Sequence, residues 1–421
     1  MLPTFINNSE KIVLPREKSF NEALFDGYHF EIKNGIKTDG SRSLYYYKTE
    51  HSLLVSHFHS SRVHILDLET GKLRWFDHHE TTVRSIQVCN HEIITTSWDG
   101  TVCITDFDTL KKRMVFTEKG MGRCPIAAIS HDHESFYSYS YDSDKNPYLT
   151  ANTIREWNFS TGRLSKTLQL PGTHLRSDGR FGACKVIDYR LFVVSDTGHL
   201  HIYNCNTGVL QAENFYSDQL QSLCLFPSFN LIVIGGSEGN IYLHDLNGNK
   251  LQSKIKAHSH DISYMLVHPD RPDIMISVGF DGTMKIWKLP NLELLESVVV
   301  NGDRLWNVTA TNDLLIAGGE AELTCVYDIK NLPQVLLRGK FIFSYQAFVF
   351  VPAGLRSFYS NDPSIIQIRR DDDGTLLDGQ MAEYLLNTAC DLKVLKDLFS
   401  SENTDQSKLR LTNKGFLQIS Q

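Results

Sequence analysis

Apolar and polar positions alternate along most of this chain, in short runs broken by turn residues. That is the pattern of half-buried strands. The clearest stretch is Ala257–Leu289. It holds two strand-length runs, Ile262–Val267 and Ile274–Val278, parted by a turn on Pro269, Asp270 and Pro272, and a third, Thr283–Leu289, after an Asp281-Gly282 corner. Glycine accepts the positive φ of such a corner without a Cβ clash, so Asp-Gly between alternating runs marks a hairpin. Three short antiparallel strands do not bury enough surface to stand alone. The stretch needs copies of itself.

The copies are present. Glu92–Phe107 and Leu231–Leu246 repeat the plan: an apolar strand, a small-residue step, an acidic-Gly corner, a second alternating strand. Weaker copies lie at Leu53–Leu68, Thr153–Phe159, Leu191–Cys205, Leu314–Ile329 and Phe358–Arg370. Their third strands end near Asp67, Asp106, Asn158, Asn204, Asp245, Lys288, Asp328 and Arg370. Most steps are roughly 41 residues, a spacing that signals a propeller blade.

On these residues the chain resembles the WD-repeat family of β-propellers. The family places a His before the first strand, Ser or Thr in the second, Asp at the corner and Trp-Asp at the end of the third. His258, Ser277, Asp281 and Trp287 match, with Lys288 where the last Asp would stand. His79, Thr95 and Asp99 match in an earlier copy, with Thr105 at the Trp position. Asp245 follows His244, and Asp328 follows Tyr327. The resemblance covers Tyr45 to Arg370 and implies an all-β WD-repeat β-propeller. It also implies that the matched residues form a structural hydrogen-bond relay and not a catalytic triad. Eight third-strand markers favour eight blades over seven; seven is the count if Phe348–Asp373, ending in Arg369-Arg370, only decorates the rim.

A ring must close, because an open sheet edge invites pairing with other chains. Tyr28–Lys33 alternates like a strand and is the candidate to complete the last blade. The organisation expected is an N-terminal extension over 1–27, a propeller over 28–376 and a tail over 377–421. In the tail, Asp378 would cap a helix to Phe399 with Met381, Leu385, Leu392, Leu395 and Phe399 on one stripe. The stripe fits packing on the propeller's own surface; the sharper alternative is a partner-binding helix. A hairpin over Leu409–Ile419 would turn on Asn413-Lys414-Gly415.

Composition narrows the function. With 421 residues, 41% hydrophobic and 22% charged, the chain has a soluble globular balance. A net charge of -7 weighs against nucleic acid as the main partner, since that binding is driven by clustered Lys and Arg. No apolar run is long enough to span a bilayer, and the N-terminus lacks the basic and apolar regions of a signal peptide. The eight cysteines form no C-x-x-C pair and mostly fall in strands, as expected in a reducing compartment. These features suggest a cytoplasmic protein, with the nucleus open to it in a eukaryote.

Candidate chemistry is sparse. Asp67–Trp75 resembles the tryptophan-docking repeat of quinone-dependent propellers, but its counterparts at Ser160-Thr161-Gly162 and Asn206-Thr207-Gly208 lack the Trp, and Thr-Gly is good turn chemistry. The pairs His57/His59, His131/His133, His199/His201 and His258/His260 could each share a strand face, but no third ligand is evident. Asp77-His78-His79 lies in a loop before a strand. There is no nucleophile elbow and no Walker loop. No metal or cofactor is expected. A propeller enzyme, of quinoprotein or hydrolase type, would need polar residues converging on the axis. The innermost runs, Val83–Val88, Ile126–Ile129, Leu220–Leu225 and Ile262–Val267, are mainly apolar or small and predict a filled centre. The reading is a non-enzymatic interaction scaffold.

Its binding face follows from loop length. Thr117–Pro125, Tyr141–Asn152 and Pro171–Phe181 exceed the usual connections. With strands a to d counted outward from the axis, d–a and b–c connections emerge on one face. Arg123, Arg176 and Arg180 lie on two of these connections, Tyr148 on the third, and Trp306 in a connection on the same face. Arginine captures carboxylate or phosphate in two-pronged fashion, and Arg with aromatics dominates binding hot spots. The expected ligand is a protein or peptide segment, acidic or phosphorylated.

Overall fold

The computed structural model describes residues 28–32, 39–118, 121, 123, 126–130, 133–142, 150–174, 182–300, 302–321, 323–353, 358–370, 376–377, 390–399, 409–411 and 417–419. The chain divides into two compact units. The larger comprises Asp39–Leu66 and Arg74–Val335; the smaller comprises Met1–Thr38, Asp67–Leu73 and Leu336–Gln421.

The larger unit is a ring of seven antiparallel blades. Their innermost strands, in chain order, are Ser41–Tyr47, Val83–Cys89, Ile126–Ile129, Ala183–Ile187, Leu220–Phe226, Ile262–His268 and Leu305–Ala310. Each neighbours the next, and Leu305–Ala310 lies beside Ser41–Tyr47. The sixth blade shows why the sequence folds this way. Its strands Ile262–His268, Arg271–Gly279, Thr283–Lys288 and Glu293–Val299 pair in order, and Gly282 makes the corner at φ 72. Alternate residues face the neighbouring blade. Val233, Ile241, Met265, Met275 and Trp287 pack as one buried layer between the fifth and sixth blades, and Phe192, Leu200, Leu223, Ile232 and Tyr242 form another between the fourth and fifth. Burying one such side chain is worth about 1.5–3 kcal/mol, so the layers between blades supply the cohesion.

Seven blades correct the expected eight. The ring shuts where Thr324 Oγ1 donates to Ser41 Oγ at 3.1 Å. At the same seam a Cβ on Gly318 would fall 1.8 Å from Ser41 Oγ, so no space remains for another blade. The segment read as an eighth blade builds sheets in the smaller unit. There Leu336–Phe343 pairs with Phe348–Pro352, which pairs with Tyr359–Ser360. Tyr28–Ile32 is a strand, but it pairs with Ile366–Arg370, Tyr28 opposite Arg370, and does not complete a blade of the ring.

The smaller unit also corrects the tail. Among the described residues its helix is Leu392–Phe399, eight residues long, and Cys390 and Asp391 interrupt the expected run from Asp378 to Phe399. Its start is set by Asp391, whose Oδ1 accepts from Lys393 N at 2.8 Å, while Asp391 N donates to Phe358 O at 3.0 Å. Cys390 is already bridged to Phe358, which fixes an extended backbone just before the helix. Leu395 is fully buried, and the Phe399 ring lies 6.1 Å from that of Phe341. Asp378, Met381 and Leu385 lie outside the described residues. Leu409–Leu411 pairs with Leu417–Ile419, Leu411 opposite Leu417.

Two of the long connections turn out to be partly strand. The third blade carries the long strands Ser135–Asp142, Thr150–Asn158 and Leu164–His174, paired as far out as Thr150 opposite His174. Tyr148, Arg176 and Arg180 lie beyond these arms, outside the described residues. Among the described residues, no helix is long and apolar enough to cross a membrane.

Candidate functional site

The site begins with a backbone irregularity that recurs. In five innermost strands the ladder to the second strand skips one residue, between Ser41 and Ser43, Val83 and Ser85, Leu220 and Ser222, Ile262 and Tyr264, and Leu305 and Asn307. The skipped residues are Arg42, Arg84, Gln221, Ser263 and Trp306. A bulge breaks the in–out alternation and re-aims a side chain. All five line one cavity of about 490 Å³ at the axis of the ring.

Around the ring, Trp306, Arg42 and Arg84 are consecutive. The Arg42 guanidinium carbon stands 3.9 Å from the centre of the Trp306 ring. Arg84 reaches the same ring at 5.6 Å and the Trp98 ring at 4.7 Å. Arg123 stands over Trp98 at 4.9 Å. The result is an alternating stack, Arg42–Trp306–Arg84–Trp98–Arg123. Phe280 and Phe58 flank Trp306 at 4.4 and 5.7 Å. Each cation over a ring is worth about 0.5–2 kcal/mol, more where water is excluded. Arg42 and Arg84 are buried while Arg123 is exposed, so the stack runs from the cavity wall outward. Burial pulls the Arg42 pKa well below its ordinary value, and the Glu320 carboxylate opposes that pull. Glu320 Oε1 also accepts from Trp306 Nε1 at 3.3 Å. Phe58, Trp98 and Phe280 each follow a second strand, at b–c corners, and Arg123 lies in a d–a connection, so the stack opens on the expected face.

Of the residues expected to bind a partner, Arg123 and Trp306 thus meet in one stack. Trp306 sits inside strand Leu305–Ala310 and not in a connection, which corrects its placement. Sequence reasoning misses Arg42, Arg84 and Trp98. The available signal is the register of the repeats: S-R-S-L, V-R-S-I, L-Q-S-L, I-S-Y-M and L-W-N-V share a variable second position. The expected filled centre is also corrected. Ser85, Ala128, Gly182, Ser222 and Ser263 line the cavity, and small residues on a ring of this size leave space rather than fill it.

The relay residues are tied by hydrogen bonds. In the sixth blade Trp287 Nε1 donates to Ser277 Oγ at 2.9 Å, Ser277 Oγ lies 2.7 Å from His258 Nε2, and His258 Nδ1 lies 3.1 Å from Asp281. In the second blade His79 joins Thr95 at 2.8 Å and Asp99 at 3.1 Å. Burial pushes the His79 pKa down, but Asp99 and Cys103 outweigh it and hold the value up at about 9. Asp99 is itself partly desolvated, yet hydrogen bonds from His79, Thr101 and the Glu80 amide keep it well below the usual carboxylate range. Thr105, at the missing Trp position, meets His78 Nδ1 at 2.9 Å. A second such Trp, Trp157, donates to Ser138 Oγ at 2.8 Å in the third blade.

The remaining motifs assemble little chemistry. His201 Nε2 lies 3.0 Å from Glu213 Oε1, with the His199 ring stacked on that of His201, and His57 lies 2.8 Å from His64. Among the described residues no group of three or more His, Cys, Asp or Glu could hold a metal. Trp75 is exposed, with Arg62 over its ring at 3.9 Å. The seven described cysteines are free thiols.

A closed ring of four-stranded antiparallel blades defines a β-propeller. The WD domain, G-beta repeat family matches residues 71–106 and 249–288, each match running from the outer strand of one blade through the third strand of the next. With the ring and the relay, these matches show that the chain carries WD repeats. It is similar to the mitotic checkpoint protein BUB3.3 of Arabidopsis thaliana, 27% identical over 48% of this chain and 60% of that protein. It is also similar to pre-mRNA-processing factor 19 of Bos taurus, 25% identical over 26% of this chain and 22% of that protein. Human pre-mRNA-processing factor 17 is 22% identical over 28% and 20%. The chain spans less than two-thirds of each of these relatives.

Proposed function

We propose that this protein is a non-enzymatic, cytoplasmic scaffold that holds an acidic or phosphorylated segment of a partner protein on the loop-rich face of its ring. The observation that carries the reading is the alternating stack Arg42–Trp306–Arg84–Trp98–Arg123. Each tryptophan fixes the plane of the arginines beside it. A guanidinium held flat in this way presents its edge in a fixed plane, the geometry that suits a carboxylate or phosphate, and loses less side-chain entropy on binding. We extend the surface to Tyr148, Arg176 and Arg180, on the connections next to Arg123 in sequence. WD-repeat relatives named for checkpoint and pre-mRNA processing roles support a place in protein complexes.

The test is affinity capture with mass spectrometry on wild type and Arg84→Glu/Arg123→Glu. The double variant should melt within a few degrees of wild type and lose its captured partners, since a central contact is worth about 2 kcal/mol or more. Arg176→Glu/Arg180→Glu should weaken the same captures. If the first double variant keeps every partner, the face is not the recruiting surface.

A further inference from the structure

The axial cavity below the stack has a wall unlike the rest of the molecule. The chain carries a net charge of -7, yet Arg42, Arg84 and Lys185 line the cavity and no Asp or Glu does, among the described residues. Arg42 and Arg84 are each 6% exposed. Removing a cation from water costs several kcal/mol unless other groups answer its charge, and Glu320 and the aromatic stack answer part of that cost for Arg42 and Arg84. A volume of about 490 Å³ falls within the range of small-ligand sites, about 300–1,000 Å³, and is too small for a folded element.

Depth sorts the cations. Arg42 and Arg84 are the bulged second residues of their strands, at the end facing the loop-rich side. Lys185 sits in the middle of Ala183–Ile187, opposite Phe192, and so lies deeper. Between the two levels the wall offers hydroxyls, from Ser85 and Tyr264. Asn307 is 8% exposed and its Oδ1 has no hydrogen-bond partner among the described residues. Turned over, that carboxamide presents two N–H donors at the same point.

We propose that this cavity is a phosphoryl-binding site. One phosphoryl group lies between Arg42 and Arg84 at the mouth, and Lys185 with Asn307 receives negative charge below. A phosphoryl group fits better than a single carboxylate because it carries more charge and an additional acceptor oxygen. Guanidinium forks hold one oxygen pair, and the ammonium acts as a point charge on whatever reaches deeper. The phosphoryl group could belong to a free polyphosphate or to a phosphorylated side chain entering from the face, and the two probes below separate these sources. The proposal shares Arg42 and Arg84 with the partner surface and so rests in part on that reading, while Lys185 and Asn307 belong to the cavity alone.

The test uses the full chain, with calorimetry and thermal melting in inorganic tripolyphosphate and, separately, in N-acetyl-phosphoserine amide, each against sulfate at equal ionic strength. At least one phosphate probe should bind below millimolar and raise the melting temperature where sulfate does not. Lys185→Met should weaken that binding by about tenfold or more, the scale of one lost charge contact, and Lys185→Arg should restore most of it. The melting temperature without ligand reports whether each variant folds, and Arg84→Gln is the second variant if Lys185→Met does not. Preference for tripolyphosphate assigns a free ligand; preference for the phosphoserine probe assigns an inserted side chain. If neither probe binds better than sulfate, or if binding survives both Lys185→Met and Arg84→Gln, the proposal is overturned. Partner capture unchanged in Lys185→Met would separate this site from the face above it.

Discussion

Replacing Trp287 tests whether the relay is structural and how its energy divides. The indole is 4% exposed and packs against Val233, Met265 and Met275 in the layer between the fifth and sixth blades. Its Nε1–H donates to Ser277 Oγ, leaving the Ser277 hydroxyl proton for His258 Nε2 and the His258 Nδ1 proton for Asp281. Trp287→Ala removes both packing and bond and should cost about 3–5 kcal/mol, the range for a large aromatic lost from a core. Trp287→Phe keeps much of the volume and the partner layer. It should cost about 1–2 kcal/mol, a lost hydrogen bond plus a small void. Ser277→Ala leaves the indole N–H and His258 Nε2 buried without their partner, at about 1–3 kcal/mol for each orphaned group. Urea unfolding followed by tryptophan-independent circular dichroism gives all three values on one scale. If Trp287→Phe is as costly as Trp287→Ala, the bond and not the packing carries the site. If Trp287→Ala folds with wild-type stability and fails only in partner capture, Trp287 is a contact residue and the structural assignment is wrong.

The His79–Asp99 pair gives a pH prediction. The folded pKa of His79, about 9, lies above its unfolded value of about 6.5, so its contribution is whole below pH 6.5 and fades as pH rises to 9. Asp99, held low, contributes above its unfolded value of about 3.9 and less as pH falls. Urea stability should therefore drop by on the order of 1–3 kcal/mol between pH 6.5 and 9, and His79→Gln should flatten that slope; an unchanged slope refutes the coupling. At the ring seam, Gly318→Val should destabilise by about 1–3 kcal/mol or more, because any Cβ there overlaps Ser41; a variant of wild-type melting would place the seam elsewhere. Dialysis against chelator should leave melting unchanged, and a stoichiometric transition metal in the purified protein would contradict that.

The blade plan is legible because its signals are local. Period-two alternation and the Asp281-Gly282 corner need only neighbours in sequence, and His258, Ser277, Asp281 and Trp287 sit at fixed offsets within one repeat. The count is not legible in the same way. Phe348–Arg370 alternates as well as a blade does, and whether it joins the ring depends on Ser41 meeting Thr324 and Gly318 from the far end of the chain. Asp391 is as good a cap by composition as Asp378, and what marks it as the start of Leu392–Phe399 is the long-range pairing of Cys390 with Phe358. Arg42 and Arg84 are hidden for another reason. A bulge shifts the side-chain phase by one, so residues that alternation assigns to a blade face are turned to the axis.

That one-residue shift separates two kinds of inheritance in the molecule. The alternating positions of each blade answer to two neighbours at once, and a change in one must suit both. The bulged residues answer to the open mouth. Arg, Arg, Gln, Ser and Trp stand at five equivalent backbone positions. Gln221 and Ser263 also bond the next blade, to Asp261 and Leu305 O, so Arg42, Arg84 and Trp306 are the side chains that can be exchanged while the ring beneath keeps its register. A ring built this way resembles a lock cylinder whose pins can be recut. Sequences that differ from this one mainly at those three places would keep the fold and admit a different key.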